Sequence, residues 1–206
     1  MAQTAEPLRI TGGYLKGRSF YTPKRGLFDI RPLRSRIRKA LFDILGNDLN
    51  GIKVLDLFAG TGALGLEALS RGAELVVFVD SSLQSRELIK KNLLHLNLHF
   101  KALIKNWKLP QDFEKLKKFA QERAILFDLV FITPPYETNL ALKSLEYFPV
   151  NVLTRRANII VEERTSVDLP NTINFLHLED KRNYGETTLY FYIFKDNKEG
   201  RSLVQE

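Results

Sequence analysis

Residues 54–73 of this 206-residue chain read VLDLFAGTGALGLEALSRGA, and this stretch decides the fold. An apolar strand, predicted over 52–58, runs into the glycine-rich turn Gly60-Thr61-Gly62, and an apolar helix, predicted over 62–71, follows directly. Glycines in such a turn let the backbone pass close to a ligand over the helix N-terminus. The stretch therefore predicts a strand, turn and helix that bind a ligand.

The alternation of strand and helix continues downstream. Further strands are predicted at 74–80, 100–105, 127–133 and 157–162, with helices at 82–97, 111–122 and 139–148 between them. This alternation specifies a parallel sheet covered by helices on both faces. Two final strands, 172–179 and 187–195, are separated only by the loop Asp180 to Glu186, so we expect an antiparallel hairpin to end the sheet.

The segment before the glycine-rich motif has a different pattern. Residues 8–21 alternate weakly and are interrupted by glycines, which suits a short bent strand or a hairpin. A helix is predicted from Pro32 to a stop at Gly46, because apolar residues recur there at helical spacing. The expected organisation is a basic extension that binds RNA (1–31), an α/β domain with its leading helix (32–196) and a loose tail (197–206).

Two carboxylates at the ends of neighbouring strands bear on the identity of the ligand. Asp56 stands beside the glycine turn, where it would repel the pyrophosphate of a dinucleotide. It suits S-adenosylmethionine instead, which has no phosphate and presents an ammonium and a sulfonium group. Asp80 ends the next strand and is placed to accept hydrogen bonds from ribose hydroxyls. Asp80-Ser81-Ser82 also fits a helix cap, but the pairing with Asp56 favours a cofactor role.

The fourth strand of the α/β domain ends in Thr133-Pro134-Pro135-Tyr136, a loop that should face the same crevice as the glycine turn. The first proline forces Thr133 toward an extended conformation, which can aim Thr133 Oγ and the Pro134 carbonyl at one point. Two such acceptors can hold an exocyclic amine and localise its lone pair toward an incoming methyl group. Tyr136 offers a flat face on which a base can stack. We therefore assign catalysis to Thr133, Pro134 and Tyr136.

Positive charge is concentrated at the start of the chain. The formal net charge is +7, yet residues 1–39 hold ten basic and two acidic side chains, so the remainder is close to neutral. Mixed signs serve solubility better than a block of one sign, so this block indicates a polyanionic partner. The candidates for RNA contact are Arg9, Lys16, Arg18, Arg31, Arg34 and Arg38.

Composition and spacing exclude several other classes. The chain has no cysteine, no basic-then-apolar start and no apolar run long enough to span a bilayer, so we expect a cytoplasmic protein, and we expect it to be a monomer. His95 and His99 have helical spacing, but the sequence offers no third metal ligand nearby, so no metal is expected. Asp56 argues against a nicotinamide dehydrogenase.

Five stretches together resemble one known family. They read RITGGYLKGRSF, RPLRSRIRKALFDIL, VLDLFAGTGALGLEALSRGA, FDLVFITPPY and NYGETTLYFY, and they span most of residues 9–194. They are similar to the RsmD-type methyltransferases that modify guanine N2 in small-subunit ribosomal RNA. The resemblance implies a class I fold: a Rossmann-like, seven-stranded, mostly parallel sheet ending in an antiparallel hairpin, with a small N-terminal β-hairpin and helix extension. It also implies S-adenosyl-L-methionine as donor and an assembled or nearly assembled small ribosomal subunit as partner.

The resemblance also assigns site residues. Carried over by motif, Asp56, Phe58, Gly60 and Gly62 contact the donor, Asp80 contacts its ribose, and Thr133 to Tyr136 contact the target guanine. The family usually has Asp or Asn where Thr133 stands, and Asn106 replaces an acidic residue expected near the adenine of the donor. A threonine hydroxyl is neutral, so the charge-assisted bond to the target amine would be lost.

Two other functions remain open from the sequence. Loops like Thr133 to Tyr136 also serve enzymes that methylate adenine N6 or a protein amide, although the basic block favours nucleic acid over protein. The neutral Thr133 also motivates an RNA-binding assembly factor that has kept the fold and lost activity.

Overall fold

The computed structural model describes residues 8–23, 35–136 and 138–195, which form ten strands and five α-helices. In chain order these are β1 (Leu8–Arg9), β2 (Ser19–Phe20), α1 (Ser35–Leu45), β3 (Lys53–Leu57), α2 (Ala63–Ser70), β4 (Leu75–Val79), α3 (Leu83–His95), β5 (Ala102–Lys105), α4 (Phe113–Glu122), β6 (Phe127–Ile132), α5 (Leu140–Tyr147), β7 (Leu153–Arg164), β8 (Thr172–Ile173), β9 (Leu176–Tyr184) and β10 (Thr187–Phe194). The predicted alternation of strands and helices is confirmed.

The central sheet contains eight strands in the order β5-β4-β3-β6-β7-β10-β9-β8. Strands β3 to β7 pair in parallel, whereas β8, β9 and β10 pair antiparallel and close the sheet, as predicted. The predicted fold class is confirmed, with the two-residue strand β8 added at one edge. The chain leaves β3 toward β4 and β5 and returns on the other side of β3 to form β6. Ligands of open α/β sheets bind at such a reversal, beyond the carboxyl ends of the strands.

Helices cover both faces of this sheet and bury apolar residues against it, and α2 is buried on all sides. Helices α1, α2 and α3 lie on one face, where Phe42 and Leu66 pack in a cluster with Phe78 of β4 and Phe131 of β6. Helices α4 and α5 lie on the other face, where Leu116 packs in a second cluster. Because the two clusters cover both faces, the ends of the sheet are where a ligand can reach the strands.

Strands β1 and β2 form a short antiparallel hairpin, as predicted from residues 8–21. The hairpin is joined to the main core, because Ile10 and Phe20 are buried in the same cluster as α1 and α2. The helix after it ends before Gly46, as predicted, and is described from Ser35; the predicted start at Pro32 and the predicted tail 197–206 lie outside the described residues.

Two predicted boundaries in the last third of the chain are wrong. Residues 180–184 belong to β9, so only Gly185 and Glu186 connect β9 to β10. Charged residues suggested a loop, but β9 lies near the open edge of the sheet, where charged side chains reach solvent and also discourage edge-to-edge association. Strand β7 begins at Leu153 rather than 157, with an irregular register against β6 where Arg156 adopts φ 62°.

Candidate active site

A cavity of about 830 Å³ opens at the carboxyl ends of β3, β4 and β6, where the chain reverses across the sheet. Its lining includes seven of the nine residues predicted to bind the donor or to act in catalysis: Asp56, Phe58, Gly60, Asp80, Thr133, Pro134 and Tyr136. The structure therefore brings the glycine turn and the proline loop, which are more than 70 residues apart in sequence, to one site. Gly62 and Asn106 do not line the cavity.

Asp56 is the most deeply buried carboxylate of the cavity, with 1% of its surface exposed. Its Oδ2 accepts a hydrogen bond from the Gly65 backbone N–H at 3.0 Å. No donor among the described residues reaches Oδ1. Burial raises the pKa of Asp56 to about 8; the Gly65 N–H acts in the opposite direction, and the charge of Asp80 adds to the rise. A buried acceptor without a partner on the wall of a cavity is suited to a cationic or hydrogen-bonding ligand.

Asp80 joins the glycine turn to the start of α3. Its Oδ2 accepts a hydrogen bond from the Gly60 N–H at 2.8 Å, and its Oδ1 accepts one from the Ser82 N–H at 2.8 Å. Ser82 is itself the N-cap residue of α3 and accepts a hydrogen bond from the Ser85 N–H. Asp80 therefore has a structural task, but an ionised carboxylate offers about four lone-pair sites, so it can accept further donors.

The glycine turn contains positive φ angles, which residues other than glycine rarely adopt. Phe58 has φ 57° and lines the cavity, whereas Gly62 has φ 76° and begins α2. A Cβ on Gly65 would lie 2.2 Å from Phe78 Cε1, so this glycine lets α2 approach the sheet closely. Gly62 does not line the cavity, so it shapes the turn through its backbone conformation. The sequence could not distinguish this role from direct contact with a ligand.

Asn106 lies at the surface beside the cavity, where its Oδ1 accepts a hydrogen bond from Arg86 Nη1 at 3.0 Å. The cavity wall after β5 is formed by the residues that follow Asn106, namely Trp107, Lys108, Leu109 and Gln111. The wall therefore lies further along the chain than Asn106, the residue that the family resemblance implied. Strand β5 ends at Lys105, and the loop turns inward only at Trp107, which is 9% exposed.

The proline loop forms the wall opposite the glycine turn. Thr133 continues from β6, and its N–H donates to the Leu57 carbonyl of β3 at 3.4 Å. Pro134 is buried, and Thr133, Pro134, Pro135 and Tyr136 all line the cavity. This placement agrees with the predicted aim of the loop at the crevice.

Three polar side chains that the sequence reasoning missed hold Tyr136. The Tyr136 hydroxyl donates to Glu162 Oε1 at 2.5 Å and lies 3.0 Å from Thr187 Oγ1. The Arg164 guanidinium lies 5.4 Å from the centre of the Tyr136 ring, and so occupies part of the flat face predicted for a base. Glu162 and Arg164 also line the cavity. A run of charged residues after the apolar part of β7 was the sequence signal that could have indicated Glu162 and Arg164. Strand β7 pairs in parallel with β6, so both strands end at the same edge of the sheet.

The predicted RNA contacts divide into three groups. Arg9, Lys16 and Arg18 are exposed on the hairpin, where Arg9 Nη1 donates to the Gly17 carbonyl at 2.9 Å. Arg31 and Arg34 lie outside the described residues. The remaining prediction, Arg38, needs correction: its side chain is 0% exposed, so it does not belong to a surface that meets phosphate.

Arg38 belongs instead to a buried ionic group beneath the hairpin. Its Nε donates to Glu67 Oε1 at 3.0 Å, and its Nη2 donates to the Arg9 carbonyl at 2.6 Å. The same Glu67 oxygen accepts the Thr11 N–H at 2.6 Å, and its other oxygen is paired with Arg71. Two arginines and one glutamate with full burial need this degree of mutual bonding. The group, which we call the Glu67 cluster (Arg38, Glu67 and Arg71), fastens the hairpin to α2.

The described ranges contain neither a metal-binding cluster nor a membrane-spanning helix. No three His, Cys, Asp or Glu side chains there come together as a metal site. None of the helices in the same ranges is long and apolar enough to cross a membrane.

The sheet order and the cavity at its reversal point define the class: the domain has the fold of the class I S-adenosylmethionine-dependent methyltransferases. The family model described as "Conserved hypothetical protein 95" matches residues 8–193. This chain belongs to that family, the RsmD-type methyltransferases.

Individual relatives cover nearly the whole chain. The Bacillus subtilis protein YlbH is 33% identical over 190 residues, which are 90% of this chain and 98% of YlbH. Ribosomal RNA small subunit methyltransferase D of Haemophilus influenzae is 31% identical over 175 residues, covering 84% of this chain and 88% of that protein. The solved structure of YhhF from Escherichia coli superposes with a TM-score of 0.73 at 27% identity, covering 92% and 98% of the two chains.

Proposed function

We propose that this chain transfers a methyl group from S-adenosyl-L-methionine to the exocyclic N2 amine of a guanine in small-subunit ribosomal RNA, on the assembled or nearly assembled subunit. The observation that carries the proposal is the single cavity shared by the Asp56 and Asp80 carboxylates and the Thr133 to Tyr136 loop. The similarity to a Haemophilus influenzae enzyme named for the small ribosomal subunit supports the choice of RNA.

The donor fits the polar groups of the glycine-turn wall. When bound, it supplies an electrophilic methyl group on a sulfonium. Asp56 is the residue to pair with the ammonium of the donor, because its buried Oδ1 has no partner among the described residues. Asp80 has acceptor capacity left for the ribose hydroxyls, and Phe58 and Gly60 provide further wall. A cation bound beside Asp56 would lower its raised pKa and favour the ionised form, which disfavours a phosphate at this place.

The opposite wall is suited to holding an aromatic amine. The lone pair of an exocyclic amine is delocalised into the ring, so the amine is a weak nucleophile until acceptors bind its hydrogens. In this proposal Thr133 Oγ and the Pro134 carbonyl are the two acceptors, and Tyr136 fixes the base beside them. Because a hydroxyl carries no charge, the Thr133 bond contributes less than a carboxylate would.

Methyl transfer to the natural substrate tests the proposal. Small subunits lacking the modification are incubated with the full chain and radiolabelled S-adenosyl-L-methionine, and the RNA is then digested to nucleosides. We expect labelled N2-methylguanosine, formed faster on assembled subunits than on free ribosomal RNA. Labelled N6-methyladenosine would overturn the proposed substrate.

A second candidate function is favoured by Thr133 alone. A protein that binds the donor and the subunit without turnover would be an assembly factor that keeps the fold of an enzyme. The same incubation distinguishes the two functions when it is combined with sedimentation of the protein with the subunits. Co-sedimentation without labelled product, restored to product by Thr133→Asp, would indicate the assembly factor.

A further inference from the structure

We propose that Glu162 determines the choice of base: its carboxylate accepts the N1–H of the target guanine. This inference rests on the proposed function and deepens it, because it names the group that distinguishes guanine from adenine. None of the family motifs quoted above contains Glu162, and its position at the cavity is visible only in the folded chain.

The position of Glu162 is unusual for a carboxylate. It is 8% exposed, it lies near the end of β7, and it lines the cavity. Alternate residues of a strand point to the same face, so Ile160, Glu162 and Arg164 share one side of the sheet. Ile160 is packed in the core cluster, whereas the two residues beyond it reach the cavity. Burying a carboxylate is costly unless donors bind it.

The bond between Glu162 and Tyr136 places this carboxylate beside the proposed catalytic loop. The Tyr136 hydroxyl has one hydrogen, which it donates to Glu162 Oε1 at 2.5 Å, so Thr187 Oγ1 at 3.0 Å is the donor to the tyrosine oxygen. Glu162 is thus one hydrogen bond away from the loop that would hold the N2 amine. A carboxylate has about four lone-pair sites, so it can bind Tyr136 and a donor from the substrate at the same time.

The edge of guanine matches this wall of the cavity. Guanine presents, in adjacent positions, the N2 amine, the N1–H donor and the O6 acceptor. A residue that reads N1–H must therefore lie beside the loop that holds N2, and Glu162 is bonded to Tyr136 of that loop. Arg164 also lines the cavity and is a donor suited to O6. Adenine presents an unprotonated N1 beside its amine, and the lone pair of that nitrogen would meet the carboxylate with repulsion.

A purely supporting role is the alternative, in which Glu162 only holds Tyr136 in place. The two roles predict different effects of Glu162→Gln on the preference for guanosine over 2-aminopurine, a base that keeps the 2-amine of guanine but has an unprotonated N1 and no O6. Loss of the O6 contact alone gives some preference for guanosine, which Glu162→Gln leaves unchanged. A carboxylate that reads N1–H adds a further preference that Glu162→Gln removes, whereas a carboxylate that only holds Tyr136 does not.

The experiment compares two substrates once the methylated position has been mapped. Small subunits are reconstituted with ribosomal RNA that carries either guanosine or 2-aminopurine riboside at that position, and single-turnover methylation is measured for each. We expect the native chain to prefer guanosine roughly tenfold to a hundredfold, the effect of one charge-assisted hydrogen bond in a dry site. In Glu162→Gln the amide can donate to the unprotonated N1, so the preference should fall about tenfold or more, to the part that O6 contributes.

Three further variants make the result specific. Glu163→Gln is the matched control: it makes the same change at the next residue, which points to the opposite face of β7 and does not line the cavity, so the native preference should persist. Tyr136→Phe removes the bond to Glu162 and should slow both substrates while leaving the preference intact. Glu162→Asp retains the charge on a shorter side chain, so it should be slower but still prefer guanosine. Calorimetric titration with S-adenosylhomocysteine verifies that each variant is folded.

Several outcomes would overturn the inference without touching the proposed function. These are equal native rates on the two substrates, an unchanged preference in Glu162→Gln, or a preference that collapses equally in Tyr136→Phe. The first of these needs no variant, so it can overturn the inference even if Glu162→Gln fails to fold. Failure of the proposed function looks different, because guanosine-containing subunits would then give no N2-methylguanosine with the native chain.

Discussion

The two walls of the cavity are built in different ways. On the donor wall (Asp56, Gly60 and Asp80), the carboxylates bind backbone N–H groups of Gly65, Gly60 and Ser82. On the target wall (Thr133 to Tyr136 with Glu162), the Tyr136 hydroxyl is held by side chains from β7 and β10. A wall fixed by backbone geometry is rigid and suits an invariant cofactor. A wall fixed by side chains can be altered by single substitutions, which suits the choice of substrate.

The largest expected effect is on the free energy of unfolding of the ligand-free protein, through the protonation of Asp56 on the donor wall. Its pKa is raised by burial to about 8, so the folded protein holds this proton more tightly than the unfolded chain does. The resulting stabilisation is fully present below about pH 4 and is lost as the pH rises toward 8, at up to about 1.4 kcal/mol per pH unit. Asp56→Asn cannot ionise, so its advantage in unfolding free energy over the native chain should grow between pH 5 and pH 8.

Urea unfolding at several pH values, without donor, measures this difference. Parallel pH profiles for the native chain and Asp56→Asn would contradict the assignment of a raised pKa to Asp56. The same variant should bind S-adenosylhomocysteine more weakly, because a neutral amide does not pair with the ammonium of the ligand.

The next effect tests whether backbone geometry really controls the donor wall. A Cβ at Gly65 would lie 2.2 Å from Phe78 Cε1, so Gly65→Ala must push α2 from the sheet and displace the N–H that holds Asp56. We expect S-adenosylhomocysteine to bind about a hundredfold more weakly by calorimetry, the upper part of the range for overpacking a core. Gly185→Ala is the control for a strained glycine-to-alanine change away from the cavity: its φ is 68°, but a Cβ there meets nothing within 4 Å, so the donor affinity should persist. Native affinity in Gly65→Ala would show that the helix has room to move.

A smaller effect tests the target wall. Thr133→Val keeps the shape but removes the hydroxyl, and we expect single-turnover methylation about tenfold slower, whereas Thr133→Asp should be up to about tenfold faster through a charge-assisted bond. Neither change should alter donor affinity much, since Thr133 lies on the other wall. Equal rates for the native, Val and Asp forms would exclude the side chain from positioning the amine.

The smallest effect concerns the exposed hairpin, whose basic residues should influence RNA binding but not donor binding. Lys16→Gln or Arg18→Gln should weaken subunit binding a few-fold and reduce the slope of log affinity against log salt by about 0.7 to 0.9 each. Lys118→Gln is the matched control, because it removes an exposed charge from α4 on the opposite face of the sheet. An identical salt slope in all three variants would argue against the hairpin as the RNA surface. A changed donor affinity in the hairpin variants would show that RNA binding and donor binding are not independent.

The difference between the walls also explains what the sequence could predict. The donor wall is local: Asp56, Gly60 and Asp80 belong to consecutive strands and turns, so periodicity and turn chemistry sufficed. The target wall depends on which strand lies beside β6 and on its register. Glu162 becomes a neighbour of Tyr136 only through the pairing of β6 with β7, and no local pattern reports that pairing.

The wrong predictions have the same origin. Arg38 was counted with its charged neighbours because a sequence gives the sign of a charge but not its exposure. Its burial depends on Glu67, which is 29 residues away and was itself hidden in an apolar helix. Residues 180–184 were assigned to a loop because their charges indicate solvent, and an exposed strand near the edge of a sheet meets the same solvent.

The Glu67 cluster fixes the hairpin, which is the predicted RNA surface, in place on α2. The Thr11 N–H is bonded to Glu67 and the Leu15 N–H to Ser70, so the hairpin cannot separate from α2 without breaking buried bonds. Amide hydrogens at these two positions should therefore exchange with solvent about as slowly as those of the core. A surface held in this way is already ordered, so RNA that bound to it would cost little conformational entropy, and the affinity would reflect the contacts themselves.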